Sequence, residues 1–338
     1  MYYTEADYIT VEKIDAHVHV NTENSAFVKC SAKDNFLLLT INTEVPFFPA
    51  IQDQQRLALL HPGISYTTTF DTTHWHDPEW QQKTLAYLEE SFAKGALGVK
   101  VWKNIGMELK DENGDFVMID HSRFDPIFHY LAENNIPVIG HLGEPRNCWL
   151  PVEEMTVAGD RAYFSAHPQY HMYLHPEYPS YEEQIDARDR MLAKHPDLTF
   201  VGAHLASLEW NVEEVAQRLD RFPYMGVDLA ERISHLQLQA VDDWQKVHDF
   251  CMKYQDRIIY GTDIIDDGSK SLAEMEKHAH DIRFRHWKFF TSDEKMRVPK
   301  VSGEFNGLKL PRSVVDKIYC TNAEKYYPGI KKVKHHSV

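Results

Sequence analysis

Short apolar runs rich in β-branched residues alternate along this chain with longer segments of helical spacing, and they do so about eight times. The runs fall at 14–20, 36–41, 66–70, 97–102, 136–141, 198–204, 224–229 and 257–263, and helical periodicity marks 80–95, 124–134, 181–194, 212–221 and 241–255. A helix between two strands carries the chain back across the sheet, so repeated alternation predicts a parallel β/α protein. With 338 residues, closure into a (β/α)8 TIM barrel is the simplest arrangement. An open doubly wound sheet would ordinarily carry a glycine-rich phosphate loop after its first strand. Neither G-x-G-x-x-G nor a Walker sequence occurs.

The sequence shows no internal repeat, low-complexity tract or linker-like run, so one α/β domain over 1–338 is expected. The longest interval between strands, 142–197, begins with a polar and aromatic stretch holding Arg146, Trp149, Arg161, Tyr163, His167, Tyr170, His171, Tyr173 and His175. A stretch that long inside a compact domain predicts a cap or lid inserted after strand 5, at about 144–180. A second long segment, 264–310, includes a helix at 271–290, and a last helix at 323–327 has Asn322 as its expected N-cap.

Composition excludes several function classes. A net charge of -15 opposes polyphosphate backbones and anionic lipid, and the short tail at 331–334 is the one basic run. No apolar run reaches the roughly 18 residues that span a bilayer, and the first residues lack the basic and apolar regions of a signal peptide. The expected location is cytoplasmic, with neither nucleic acid nor membrane as partner. Four dispersed cysteines give no disulfide framework or thiolate cluster, whereas twenty histidines point to nitrogen and oxygen ligation of any bound metal.

Polar residues able to ligate stand where these strands end, at positions that would otherwise be apolar: His17 and His19 on the first, Lys100 on the fourth, His141 on the fifth, His204 on the sixth and Asp263 on the eighth. The carboxyl ends of barrel strands open on one face, so these groups would converge. His17 and His19, two residues apart, would project from one face of an extended strand. Alternation puts Lys100 and Trp102 on one face, with Val99 and Val101 turned toward the helices. Each group also has an ordinary reading as a turn, cap or half-buried polar residue.

The stretches Ile14-Asp15-Ala16-His17-Val18-His19, Gly98-Val99-Lys100-Val101-Trp102, Val138-Ile139-Gly140-His141-Leu142-Gly143, Phe200-Val201-Gly202-Ala203-His204-Leu205-Ala206 and Ile259-Tyr260-Gly261-Thr262-Asp263 resemble the amidohydrolase superfamily of metal-dependent hydrolases. Leu310-Pro311 and Thr321-Asn322-Ala323-Glu324 look like the tail of its aminocarboxymuconate semialdehyde decarboxylase-like subgroup. The resemblance implies that His17, His19, His141 and Asp263 bind a divalent metal, for which Zn2+ suits the ligands while Mn2+ or Fe2+ are compatible. It also implies a metal-bound water acidified toward a pKa of roughly 7, with Asp263 taking its proton and His204 orienting it or polarising the substrate. In some members a carboxylated lysine at the position of Lys100 bridges two ions, and His141 and His204 would then serve the second. The subgroup usually holds one ion, which leaves Lys100, or Lys103 one face over, as a substrate contact.

The expected activity is hydrolysis of an amide, lactone or related carbonyl centre in a small carboxylate-bearing substrate. Arg146 and Arg232 are candidate cationic contacts and Trp102 a candidate pocket floor. The alternative is non-oxidative decarboxylation by the same ligands. Glu144 and Asp228, just past the fifth and seventh strands, are expected to be loop charges or supporting partners. A homo-oligomer is compatible with this reading.

Overall fold

The computed structural model of the protein describes residues 1–41 and 51–330, so the basic tail at 331–334 lies outside the described residues. Eight parallel strands carry the fold: β1 Lys13–Val20, β2 Phe36–Thr40, β3 Ile64–Tyr66, β4 Val99–Val101, β5 Val138–Gly140, β6 Phe200–Gly202, β7 Met225–Asp228 and β8 Ile258–Ile259. They pair in the orders β3-β2-β1 and β4-β5-β6-β7-β8. Two seams join these sheets. At one, Thr68 bridges Val99; at the other, Ala16 N donates to Tyr260 O at 3.0 Å and Asp263 N to His17 O at 2.8 Å. The result is a (β/α)8 barrel.

Several strands are shorter than their apolar runs. β3 lies at Ile64–Tyr66 rather than 66–70, β8 spans only Ile258–Ile259, and β5 and β6 stop at Gly140 and Gly202. His141, His204 and Asp263 therefore stand just beyond strand ends, where the backbone is free to turn. The helix expected at 241–255 is Trp244–Lys253, and a further, unexpected helix, Ile233–Asp242, ends just before it. The break falls at Asp243, whose carboxylate caps the Trp244–Lys253 helix by accepting from Lys246 N at 3.0 Å. Asn322 is no N-cap: it continues a helical run, and its Nδ2 donates at 2.7 Å to both Gln255 O and Ile258 O.

Ile14, Ala16, Leu37, Leu39, Ile139, Val201 and Ile259 form one apolar cluster with Tyr326 of the Asn322–Tyr326 helix and with Tyr327 just after it. Side chains from β1, β2, β5, β6 and β8 can meet only across the barrel interior, so this cluster is its packed floor. Val99 and Val101 instead pack with Leu88, Phe128 and Leu131 in the layer between strands and helices. This leaves Lys100 facing inward.

β1 changes phase along its length. Asp15 pairs with Leu38 but Val18 with Thr40, so three steps on β1 match two on β2, the signature of a bulge. Before the bulge Ile14 and Ala16 point into the barrel and Asp15 points out; after it, His17 and His19 point in, while Val18 and Val20 join the outer layer. One strand thereby supplies apolar floor below and imidazoles above.

Between β5 and the Tyr181–Lys194 helix, the chain forms a string of short turns and the Ala158–Ala166 helix. These pack on their own small core of Cys148, Met155, Phe164 and Met172 together with Met107. Among the described residues, no helix is long and apolar enough to cross a membrane.

Candidate metal centre

At the carboxyl end of the barrel, one ligand atom each from His17, His19 and Asp263 lie within 4.8 Å of one another. His19 Nε2 is 3.1 Å and His17 Nε2 3.5 Å from Asp263 Oδ1. The opposite edge of each ring is tied down. His17 Nδ1 donates to Asp228 Oδ2 at 2.7 Å, and His19 Nδ1 to Ile41 O at 3.0 Å. Carbonyl and carboxylate acceptors on Nδ1 fix the tautomer that leaves the Nε2 lone pair facing the centre.

His204 is held in the same manner, Nδ1 donating to Ala230 O at 3.0 Å, and its ring lies 4.9 Å from that of His17 and 4.3 Å from that of His141. His141 adjoins the centre through His204 but does not join the 4.8 Å group. Its Nε2 is buried without a hydrogen-bond partner among the described residues, and Glu144 Oε2 stands 3.7 Å away, beyond bonding distance. A buried orphan nitrogen costs stability unless something binds it. Three imidazoles, one of them unpartnered, and one carboxylate are a donor set that fits Zn2+ or a similar divalent ion.

The local backbone is strained to aim these groups. His204, Leu205, Ala206 and Ser207 all have left-handed φ, 60, 57, 58 and 56°. Such a turn costs roughly 1–2 kcal/mol per non-glycine residue. It is held by Asp228 Oδ1, which accepts from His204 N at 2.8 Å, by Arg188 donating to Ala206 O, and by Ser207 Oγ donating to Gly143 O. Asp263 is also left-handed, at φ 63°. Glycine is required at 261, where a Cβ would lie 2.9 Å from His17 Cβ.

Burial alone would raise the Asp263 carboxyl, but the close approach of His19 Nε2 and the neighbouring His17 and His204 hold it far below the carboxylate range. Asp228 is likewise brought to about 2, the adjoining His17 that donates to it and the bond from His204 N outweighing burial. Burial pushes His204 down to about 3, lowers His19, and, with His204 and Lys100 nearby, puts His141 well below its usual value. Around neutral pH the centre therefore holds two carboxylates and at least three neutral imidazoles ready to act as ligands.

Lys100 reaches the inner edge of this group, its Nζ 3.3 Å from His17 Nε2, and burial lowers it to about 8. The other expected contacts are distributed unevenly. A cavity of about 390 Å³ opens beside His141, His204 and Asp263, lined also by Lys103, Glu144, Arg232 and Ser234. Lys103 is ion-paired with Glu144, and Arg232 Nε is buried without a hydrogen-bond partner among the described residues. Arg146 and Trp102 do not line it: the Arg146 guanidinium lies 4.3 Å over the Trp210 ring, and Trp102 sits beneath Lys103. Val157, Asp160, Tyr163 and Phe164 from the inserted segment, with Lys300, complete the wall. Of these only Tyr163 drew notice in the sequence, because residues that far from the strand ends carry no periodic signal.

A family model described as Amidohydrolase matches residues 70–329. Among solved structures, 2,6-dihydroxybenzoate decarboxylase in complex with 2,6-dihydroxybenzoate superposes with a TM-score of 0.54 at 14% identity, covering 94% of this chain and 99% of that one. An uncharacterized TIM-barrel protein from Bordetella bronchiseptica gives 0.53 at 14% identity, with 94% and 98% covered. The 2,6-dihydroxybenzoate decarboxylase from Rhizobium gives the same four values. At such identity the likeness concerns the barrel fold. No curated protein matches the chain.

Proposed function

Because the chain belongs to the amidohydrolase family, we propose that it is a metal-dependent hydrolase in which His17, His19, His141 and Asp263 hold one divalent ion, most simply Zn2+. Its substrate is a small molecule with a C–N or C–O bond at a carbonyl carbon. The observation that carries this reading is the convergence of His17 Nε2, His19 Nε2 and the Asp263 carboxylate beside an unpartnered His141. When bound, the ion supplies Lewis acidity, polarising a carbonyl oxygen and easing deprotonation of water.

The chain's own residues do the remainder. Asp263, ionised throughout the physiological range, accepts the proton of the attacking water. His204, locked through Nδ1, turns Nε2 toward the same space and holds the water or the substrate oxygen. Asp228 keeps the His17 ring in orientation. Arg232 and Lys103 face the cavity as contacts for a negative group on the substrate, and the 144–180 segment serves as a wall limiting solvent.

That wall includes Val157, Tyr163 and Phe164, an apolar and aromatic surface beside the reacting groups. It favours a second reading, non-oxidative decarboxylation, in which water is not consumed. The two are separated by products, since only the lyase releases carbon dioxide.

The metal reading is tested by elemental analysis of the purified protein. We expect about one divalent ion per chain and its loss in His17→Ala/His19→Ala, because two of four ligands are removed. Full occupancy in that double variant would overturn the assignment.

A further inference from the structure

Outside the barrel wall, Arg283 lies midway along the Leu272–Thr291 helix and is 0% exposed. Its Nη2 and Nε donate to Asp15 Oδ2 at 2.8 and 3.2 Å, and its Nη1 to Ser31 Oγ at 2.8 Å. The guanidinium carbon is 4.5 and 4.2 Å from the ring centroids of Phe27 and Phe36. Asp15, also 0% exposed, accepts from Thr262 N on Oδ1 at 2.9 Å and from Thr262 Oγ1 on Oδ2 at 2.7 Å.

These bonds fall on the two irregular pieces of backbone that carry three of the four ligands. The bulge of β1 runs from Asp15 to Val18 with Ala16 and His17 between them, so pinning Asp15 in the outer layer sets the phase that turns His17 and His19 inward. Thr262 directly precedes Asp263, and its Oγ1 also accepts from Ile264 N at 3.3 Å, so it brackets the left-handed Asp263 from both sides. A buried ion pair adds little stability compared with apolar side chains of like volume, so stability alone does not account for this one.

We infer that Arg283 is a positioning residue: through Asp15 and Thr262 it holds the bulge of β1 and the turn at Asp263 in the register that brings His17, His19 and Asp263 to one point. The inference rests on the metal reading above. It assigns a role in ligand geometry to a residue that touches neither ion nor substrate, and it predicts that metal affinity falls in variants that remain folded.

The test replaces the whole pair, Asp15→Leu/Arg283→Met, leaving no charge uncompensated. Zinc affinity is measured by competition with a chromophoric chelator, and the cobalt-substituted proteins are compared by visible absorption. We expect a variant that remains folded with a lowered thermal midpoint, because Thr262 N loses its acceptor, together with zinc affinity of the folded protein lower by about 10–100-fold and an altered cobalt spectrum, since supporting partners of metal ligands typically have effects of that size. Thr262→Val, which at nearly constant shape removes one bond to Asp15 and the acceptor of Ile264 N, should lower affinity by a smaller factor. If the double variant does not fold, Thr262→Val decides alone. Unchanged zinc affinity and cobalt spectrum in a folded variant overturn the inference while leaving the metal reading intact; a wild-type protein that takes up no zinc overturns both.

Discussion

At its amino end β1 sends Ile14 and Ala16 into an apolar interior shared with Leu37, Leu39, Ile139, Val201 and Ile259, whereas past the bulge it presents His17 and His19 to a polar mouth. The floor is regular: its strands keep register, and its side chains are buried hydrocarbon. The mouth is irregular: it holds a four-residue left-handed turn at His204–Ser207, a left-handed Asp263 and an orphaned imidazole nitrogen. Stabilisation thus comes from one end of the barrel while strain is held at the other, the division expected when a rigid scaffold positions reactive groups. Substitutions at the two ends should differ in kind, with function lost at the mouth and stability lost at the floor.

The largest expected effect is at the mouth. Asp263→Asn should lower turnover on the order of 10²- to 10⁴-fold, the usual contribution of a positioned acid–base group. Asparagine keeps the shape but cannot accept a proton at neutral pH, and the thermal midpoint should move little because the residue packs no core. Near wild-type turnover with metal bound would remove Asp263 from the proton-transfer role.

At the floor the expectation reverses. Leu39 is 0% exposed within the interior cluster and lies on a strand with none of the proposed ligands. Leu39→Ala should cost about 2–5 kcal/mol in urea unfolding, through lost burial and the cavity left behind. The metal-to-protein ratio of the folded fraction should not change. Loss of metal in parallel with stability would mean that the two ends are not separable.

The same contrast explains how much the sequence reveals. Floor and strand order follow from periodicity, because apolar side chains repeat wherever a strand crosses the core. His17, His19, His141, His204 and Asp263 stand out because polar residues interrupt that pattern at strand ends. What makes the mouth irregular is illegible for definite reasons. A bulge exists only relative to the partner strand, so nothing in Asp15-Ala16-His17 alone announces a change of phase. Left-handed φ at His204–Ser207 is imposed by Asp228, Arg188 and Ser207 bonds across the barrel, against the preference of the residues themselves. Asp15 and Arg283 are 268 positions apart, and Lys300 reaches the cavity from a segment without periodicity. Asp243 separates two helices by capping the later one, a signal that the apolar spacing on either side conceals.

The smallest effect sharpens the comparison at the amino end of β1 itself. Lys13 is 0% exposed there, its Nζ donating to Tyr8 O and, at 2.6 Å, to Val11 O, with the Tyr8, Phe36 and Trp287 rings around it. Burial pushes its ammonium down to about 7 from 10.5. Between those values the unfolded chain binds a proton that the folded chain has released, so stability rises as pH increases from about 7 toward 10.5, and the charged form is penalised below that window. Lys100 and Lys103, lowered to about 8 by burial, act in the same direction from the mouth. Wild-type protein should therefore be more stable to urea at pH 9 than at pH 7, and Lys13→Met should remove the part of that gain that comes from the amino end of β1, about 1 kcal/mol after allowance for relaxation around the charge. His141 and His204, lowered far below 7, do not titrate in this interval. An equal gain in wild type and Lys13→Met would assign the alkaline stabilisation to the mouth alone.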